Sequence, residues 1–181
     1  MNASPSSSGA ESAGAVRAWA PGRVNLIGDH VDYVGGLVLP MAVDLGTSVT
    51  FVPGGDRLRL RSADEPDPVD IPVPVADPAS VRPDWGRYVG GVAAEMGLTV
   101  GGRGSISSTL PLGAGLSSSA SLEAALAVAF GHPGPPGELA RLCQRAEQAA
   151  SGVPCGIMDQ LAVAAGVEGA ALLIDCRDET V

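Results

Sequence analysis

Leucine and arginine alternate over residues 57–61, with Leu58 and Leu60 set between Arg57, Arg59 and Arg61. Residues two apart share one face of a strand, so this pattern predicts a strand with one buried side. Residues 16–19 predict a first short strand, and the Val-, Leu- and Thr-rich stretch 37–52 predicts one or two more. Further strands are expected near 69–75, over 103–109 and over 170–175. The period changes after Asp84. Trp85, Tyr88, Val89, Val92 and Met96 recur at offsets of three and four, the stripe of a helix with its aromatics in the core and Asp84 as its cap. An Ala-rich helix is predicted from the loop 111–115 to about Phe130, with a break over 133–137. The next helix gathers Leu139, Leu142, Cys143 and Ala146 on one face, and another covers roughly 157–165. Strands and helices mix without strict βαβ alternation, which predicts an α+β fold. Residues 1–15, rich in Ser, Ala and Gly, read as a disordered tail before one domain over 16–181.

Composition narrows the function. The 181 residues are 45% hydrophobic, enough for a sizeable core, and the formal net charge of -9 argues against a nucleic-acid partner. Lysine is absent, so all 11 of the Lys and Arg residues are arginine. Cys143, Cys155 and Cys176 have no paired metal spacing and read as buried, reduced thiols of a cytoplasmic protein. No run reaches the roughly 18 apolar residues of a membrane span, and the N-terminus lacks the pattern of a signal peptide.

Three segments carry candidate chemistry. In Pro111-Leu-Gly-Ala-Gly-Leu-Ser-Ser-Ser-Ala120, Gly113 and Gly115 let the backbone approach a bulky ligand, and the N–H groups of the following helix favour an anion. The hydroxyls of Ser117, Ser118 and Ser119 can cap that helix, bond phosphate oxygens or ligate Mg²⁺. Without lysine, the loop is neither a Walker A loop nor part of a protein-kinase site. A dinucleotide fingerprint would need glycine at Ser118. A plain helix cap with a flexible lead-in is the alternative. In the turn 28–36, Asp29, His30 and Asp32 suit sugar hydroxyls, which both donate and accept. A divalent ion or a merely solvated acidic turn are the rival readings. Asp159, near the start of an apolar helix, is either a helix-terminal charge or a functional carboxylate. Glu147, twelve residues earlier, reads on its own as an exposed helix glutamate.

Together these segments resemble the galactokinases within the GHMP small-molecule kinases. The resemblance rests on Gly22-Arg-Val-Asn-Leu-Ile-Gly-Asp-His-Val-Asp-Tyr33, on the glycine loop, on Cys155-Gly-Ile-Met-Asp-Gln160 and on Ala171-Leu-Leu-Ile-Asp-Cys176. It implies an N-terminal GHMP domain of ribosomal-protein-like topology. It implies that Asp29, His30, Val31 and Asp32, with backbone at Gly156, bind the sugar. Gly113, Ala114, Gly115, Leu116, Ser117, Ser118 and Ser119 would wrap the ATP phosphates, and Ser119 and Glu147 would hold Mg²⁺. Asp159 would face the anomeric hydroxyl, with Arg23 beside it.

The implied reaction is MgATP-dependent phosphorylation of galactose, or a related aldohexose, to the 1-phosphate. A kinase for N-acetylgalactosamine or arabinose, and a non-catalytic sugar and ATP sensor, are the alternatives. Asp29 stands where the family usually has glutamate, and Val31 and Val34 where Thr and Asn are common. Family members are about twice as long as this chain, so the C-terminal GHMP domain is expected to be absent. A chain of this length is expected to turn over poorly alone and to self-associate through apolar surface.

Overall fold

A computed structural model describes residues 14–181 except Leu112. The tail expected over 1–15 lies outside the described residues but for Gly14 and Ala15. Two long strands form the spine: β1 (Val16–Asn25) runs antiparallel to β3 (Pro40–Pro53). β1 is longer than residues 16–19 predict, because β3 offers fourteen residues of pairing partner. A register shift between Pro21 and Arg23 absorbs the proline, which has no N–H to give the ladder. β2 (Leu37–Val38) stands apart from this sheet. β4 (Arg57–Ser62), β5 (Val69–Pro72) and β6 (Gly102–Ser108) complete five strands in the order β1-β3-β6-β4-β5. β4 and β6 are parallel and the other pairs antiparallel, so the sheet is mixed.

The alternation read at 57–61 holds. Leu58 and Leu60 are fully buried while Arg59 and Arg61 are exposed. Removing each leucine from water contributes about 1.5–3 kcal/mol. They join Val49, Phe51 and Ile106 in a core covered by α1 (Gly86–Glu95), α2 (Ser118–Ala129) and α3 (Pro136–Ser151). This is the predicted α+β arrangement, with a sheet carrying its helices on one face. A second core collects Ile157, Met158, Leu161 and Ala162 around α4 (Met158–Ala165), together with Val38 from β2 and Ile174 from β7 (Ile174–Asp175), which pair as a two-stranded sheet.

Three details differ from expectation. Asp84 does not cap α1. The helix starts after Trp85 with no side-chain cap, and the Asp84 carboxylate accepts from Arg87 Nη2 at 2.9 Å, a charged donor stronger than a helix N–H. β7 is only Ile174–Asp175, because the preceding residues run beside Pro40, which cannot donate to a ladder, and touch β3 through one bridge, Met41 to Ala171. Cys143 and Cys176 are buried as expected, but Cys155 is only half-buried.

One buried contact positions the functional loop. Ser121, in the first turn of α2, lies within hydrogen-bond distance of Ala20 O at 2.9 Å and of Thr47 Oγ1 at 3.0 Å. Thr47 N donates to Ser121 Oγ at 3.2 Å. The start of α2, and the glycine loop before it, are thereby pinned to the sheet.

Candidate active site

Arg23 lies near the end of β1, and Asp159 in the first turn of α4. Arg23 Nε and Nη2 reach Asp159 Oδ1 at 2.8 and 2.6 Å, and Arg23 Nη1 donates to Gly115 O at 2.9 Å. The backbone N–H of Arg23 donates to Leu116 O at 3.1 Å. One arginine therefore ties the glycine loop to the carboxylate. The other oxygen, Asp159 Oδ2, accepts from Ser117 Oγ at 2.5 Å. Ser117 sits at φ 53° immediately before α2 and makes no capping bond. Its hydroxyl is given to Asp159. Gly113 and Gly115 adopt φ of 70° and 69°, and open space lies where their side chains would be. Ala114 N lies 3.4 Å from Pro111 O, a long turn bond.

The turn after β1 closes the other side. Asp29 Oδ1 accepts from Asn25 Nδ2 at 2.5 Å. His30 takes the left-handed conformation at φ 60° and sets its ring 6.3 Å from that of Tyr33. Asp32 opens a short 3-10 turn, and Gly156 lies so close that a Cβ there would overlap the Asp32 carboxylate. Arg23, Asp29, His30, Asp32, Glu147, Gly156 and Asp159 all line one cleft of about 310 Å³. Val31 is different: its side chain packs against the second core and over Gly36, so any part it plays in a ligand site falls to its backbone. As to the metal reading of this turn, no group of three His, Cys, Asp or Glu among the described residues is arranged to hold an ion.

Glu147, on α3, is not an exposed helix glutamate. It is half-buried, accepts from Gln160 Nε2 at 2.5 Å and is hydrogen-bonded by Ser119. Burial pushes its carboxyl above the usual range and the nearby Asp159 charge adds to this, while the bonds from Ser119 and Gln160 oppose it. Ser119 and Glu147 together offer a hydroxyl and a carboxylate. That hard oxygen pair fits Mg²⁺, which keeps waters and takes its other ligands from substrate phosphates.

Sequence reasoning missed several members. Trp85 packs against the core as read, but it and Tyr88 are half-buried and also line a hollow of about 200 Å³ beside Ser118 and Ser119. Gln160 could have been suspected from its place next to Asp159, whereas nothing in the sequence points to the Ser117 bond. Glu123, one turn beyond Ser119 on α2, is fully buried, and neither carboxylate oxygen has a hydrogen-bond partner among the described residues. Burial raises its pKa to about 10, with Glu147 adding to the shift.

The GHMP kinases N terminal domain matches residues 87–167, and the galactokinase galactose-binding signature matches residues 8–53. The fold is that of the N-terminal domain of the GHMP kinases. Within that family its similarity lies with the galactokinases. It is 46% identical to galactokinase of Canis lupus familiaris over 173 residues, 87% of this chain and 44% of the relative. It is also 46% identical to galactokinase of Streptomyces coelicolor over 170 residues, 88% of this chain and 43% of the relative. The Lactococcus lactis galactokinase structure complexed with galactose superposes with a TM-score of 0.84 at 30% identity, over 92% of this chain and 46% of that one. Mevalonate kinase of Methanococcus jannaschii, at 21% identity and TM-score 0.73, shares the fold. The chain spans less than half the length of the curated relatives it matches.

Proposed function

We propose that this chain holds galactose and MgATP for transfer of the γ-phosphoryl group to the anomeric hydroxyl, giving galactose 1-phosphate and ADP. The observation that carries the proposal is the Arg23–Asp159–Ser117 constellation, which shares a cleft with Asp29, His30 and Asp32 and is tied directly to the glycine loop.

Asp29, His30, Asp32 and the backbone at Gly156 would bind sugar hydroxyls. The loop 113–119 would take the phosphates, with Ser118 and Ser119 contributing hydroxyls and Ser117 contributing backbone only. The hollow lined by Trp85 and Tyr88 would take the purine. Mg²⁺, held by Ser119 and Glu147, would neutralise charge on the phosphates. As the sugar oxygen bonds to phosphorus and the bond to ADP breaks, the hydroxyl proton passes to Asp159 and then to solvent. Phosphoryl transfer of this loose kind needs little activation of the nucleophile. Asp159, already held by two partners, would serve chiefly to orient the hydroxyl, and Arg23 to offset negative charge. Positioning supplies most of the rate. Among the described residues no helix is long and apolar enough to cross a membrane. The free thiols of Cys143, Cys155 and Cys176 support placing the protein in the cytoplasm.

Calorimetric titration with galactose and with MgATP, followed by an ADP-release assay, tests this reading. Binding of both ligands is expected, with galactose-dependent ADP release that is slow in this chain alone. Preference for N-acetylgalactosamine or arabinose would overturn the choice of sugar. Binding of both ligands with no ADP release would overturn catalysis by this chain in favour of a sensor.

A further inference from the structure

The sheet face turned away from the helices carries Arg57, Arg59 and Arg61 on β4 and Arg103 on β6, in a chain whose net charge is -9. The parallel register sets Arg59 beside Arg103 and Arg61 beside Ser105. On the next strand, Thr50 pairs with Ser105 and Val52 with Arg103. Neighbouring strands lie about 4.8 Å apart and same-face residues about 6.7 Å apart along a strand, so three arginine stems rise close together. Like charges placed side by side weaken a sheet, and little here offsets them. Two carboxylates adjoin the patch, Asp56 and Asp70. Asp70 is already engaged by Arg57, whose Nε lies 2.5 Å from Oδ1 and whose Nη2 donates to Asp70 O at 2.9 Å. Arg57 holds the Asp70 carboxyl below its usual range. Arg59 reaches Asp70 Oδ2 only at 3.4 Å. No ion pair among the described residues involves Arg61 or Arg103. Over these residues opens a hollow of about 500 Å³, and a second of about 150 Å³ shares Arg59, Arg103 and Val52 with it.

We propose that this face binds a small anion carrying two or more phosphate groups, held by Arg59, Arg61 and Arg103 with the hydroxyls of Thr50 and Ser105. Arginine presents a planar fork of donors that grips phosphate oxygens in pairs. A hollow of this size lies in the range of small-molecule sites, roughly 300–1,000 Å³. A stable protein partner would instead need about 800 Å² on each side. The site does not depend on the kinase reading, since it shares no residue with the glycine loop.

Tripolyphosphate titrated into the chain, followed by NMR at the arginine Nε–H groups and at the backbone, tests the proposal. The Nε–H signals of Arg59, Arg61 and Arg103 should shift with one dissociation constant, and added NaCl should weaken it. In R61Q/R103Q that constant should rise at least about tenfold, as expected for loss of charge-assisted bonds. The amides of Gly113 and Gly115 should respond alike in parent and variant. Both substituted side chains are exposed, and the backbone spectrum checks the fold. Should the double variant not fold, R61Q and R103Q singly are each expected to weaken binding severalfold. Shifts confined to the glycine loop would overturn the site, as would unchanged affinity in the variants. Tighter binding of a Glu-rich peptide than of tripolyphosphate would overturn the choice of ligand.

Discussion

Around Asp159 the carboxylates are held by other side chains: Asp159 by Arg23 and Ser117, Asp29 by Asn25, Glu147 by Gln160 and Ser119. The loop over 113–117 is built differently. It consists largely of backbone, with two left-handed glycines facing empty space and no side-chain cap on the helix that follows. The contrast matches what the proposed function asks each side to bind. A neutral sugar brings weak, directional hydroxyls, so its side of the cleft is organised in advance. A phosphate brings its own charge, so its side needs free N–H donors and room. Arg23 joins the two, with its guanidinium on Asp159 and on Gly115 O.

Breaking the organised side at its centre should have the largest effect. Asp159→Asn keeps the shape but loses the proposed proton acceptor and weakens the hold of Arg23. Galactose phosphorylation should fall by about a hundred- to ten-thousand-fold, while calorimetry shows nucleotide affinity nearly unchanged. Turnover that stays within about tenfold of the parent would sink the assignment.

Breaking the open side should do the converse. Gly115→Val forces a branched residue into the left-handed region, at a cost of roughly 1–2 kcal/mol, and fills the space a phosphate needs. ATP binding should be lost with sugar binding retained. Surviving nucleotide affinity would mean that the loop is only a lead-in to the helix.

Gly156→Ala sharpens the comparison on the sugar side. The new methyl would overlap the Asp32 carboxylate and displace it, and overpacking of this kind costs about 1–3 kcal/mol. Galactose affinity should drop about tenfold or more, with the ATP constant unmoved. An equal loss for both ligands would show that Asp32 supports the whole cleft.

The smallest effect on ligand binding should come from beneath both sides, where the readout is stability. Glu123 has a folded pKa of about 10 against an unfolded value of 4.5. The folded chain keeps a proton that the unfolded chain loses over that window, so this contribution to stability is full below 4.5 and declines as pH rises toward 10. Glu123→Gln removes the dependence. Urea unfolding from about pH 5 to about pH 8 should show the variant gaining on the parent by at most about 1.4 kcal/mol per pH unit. A difference that stays constant with pH would mean that Glu123 is not held as the neutral acid.

Much of this was legible in residue order. The alternation at 57–61, the stripe on α3 and the glycine loop before α2 depend on neighbours a few positions apart, where strand and helix periods act directly. Of the seven residues that meet in the cleft, Asp29, His30, Asp32 and Asp159 were singled out from their local motifs, and the family resemblance added Arg23, Glu147 and Gly156. What could not be read depends on distant partners. β1 runs on through Pro21 because β3 lies alongside it, and Asp84 turns to Arg87 instead of to its helix. Trp85 and Tyr88 lie on the stripe as expected, but they line a hollow because Ser118 and Ser119 arrive beside them from another element.

The sequence by itself determined the chemical groups and their local geometry: glycines where the backbone must turn left-handed or stand clear, serines ahead of a helix, carboxylates on a turn and at a helix start. These follow from short-range sterics and hydrogen bonding. Only the tertiary structure decided which groups work together. Arg23 and Asp159 are 136 residues apart in the chain and 2.6 Å apart in space, and Ser117 gives its hydroxyl to a carboxylate 42 residues away. Burial likewise turned Glu147 from a surface glutamate into a carboxyl poised beside Ser119. Pairings and desolvation of this kind arise when the cores close and bring remote elements together, and no local pattern encodes them.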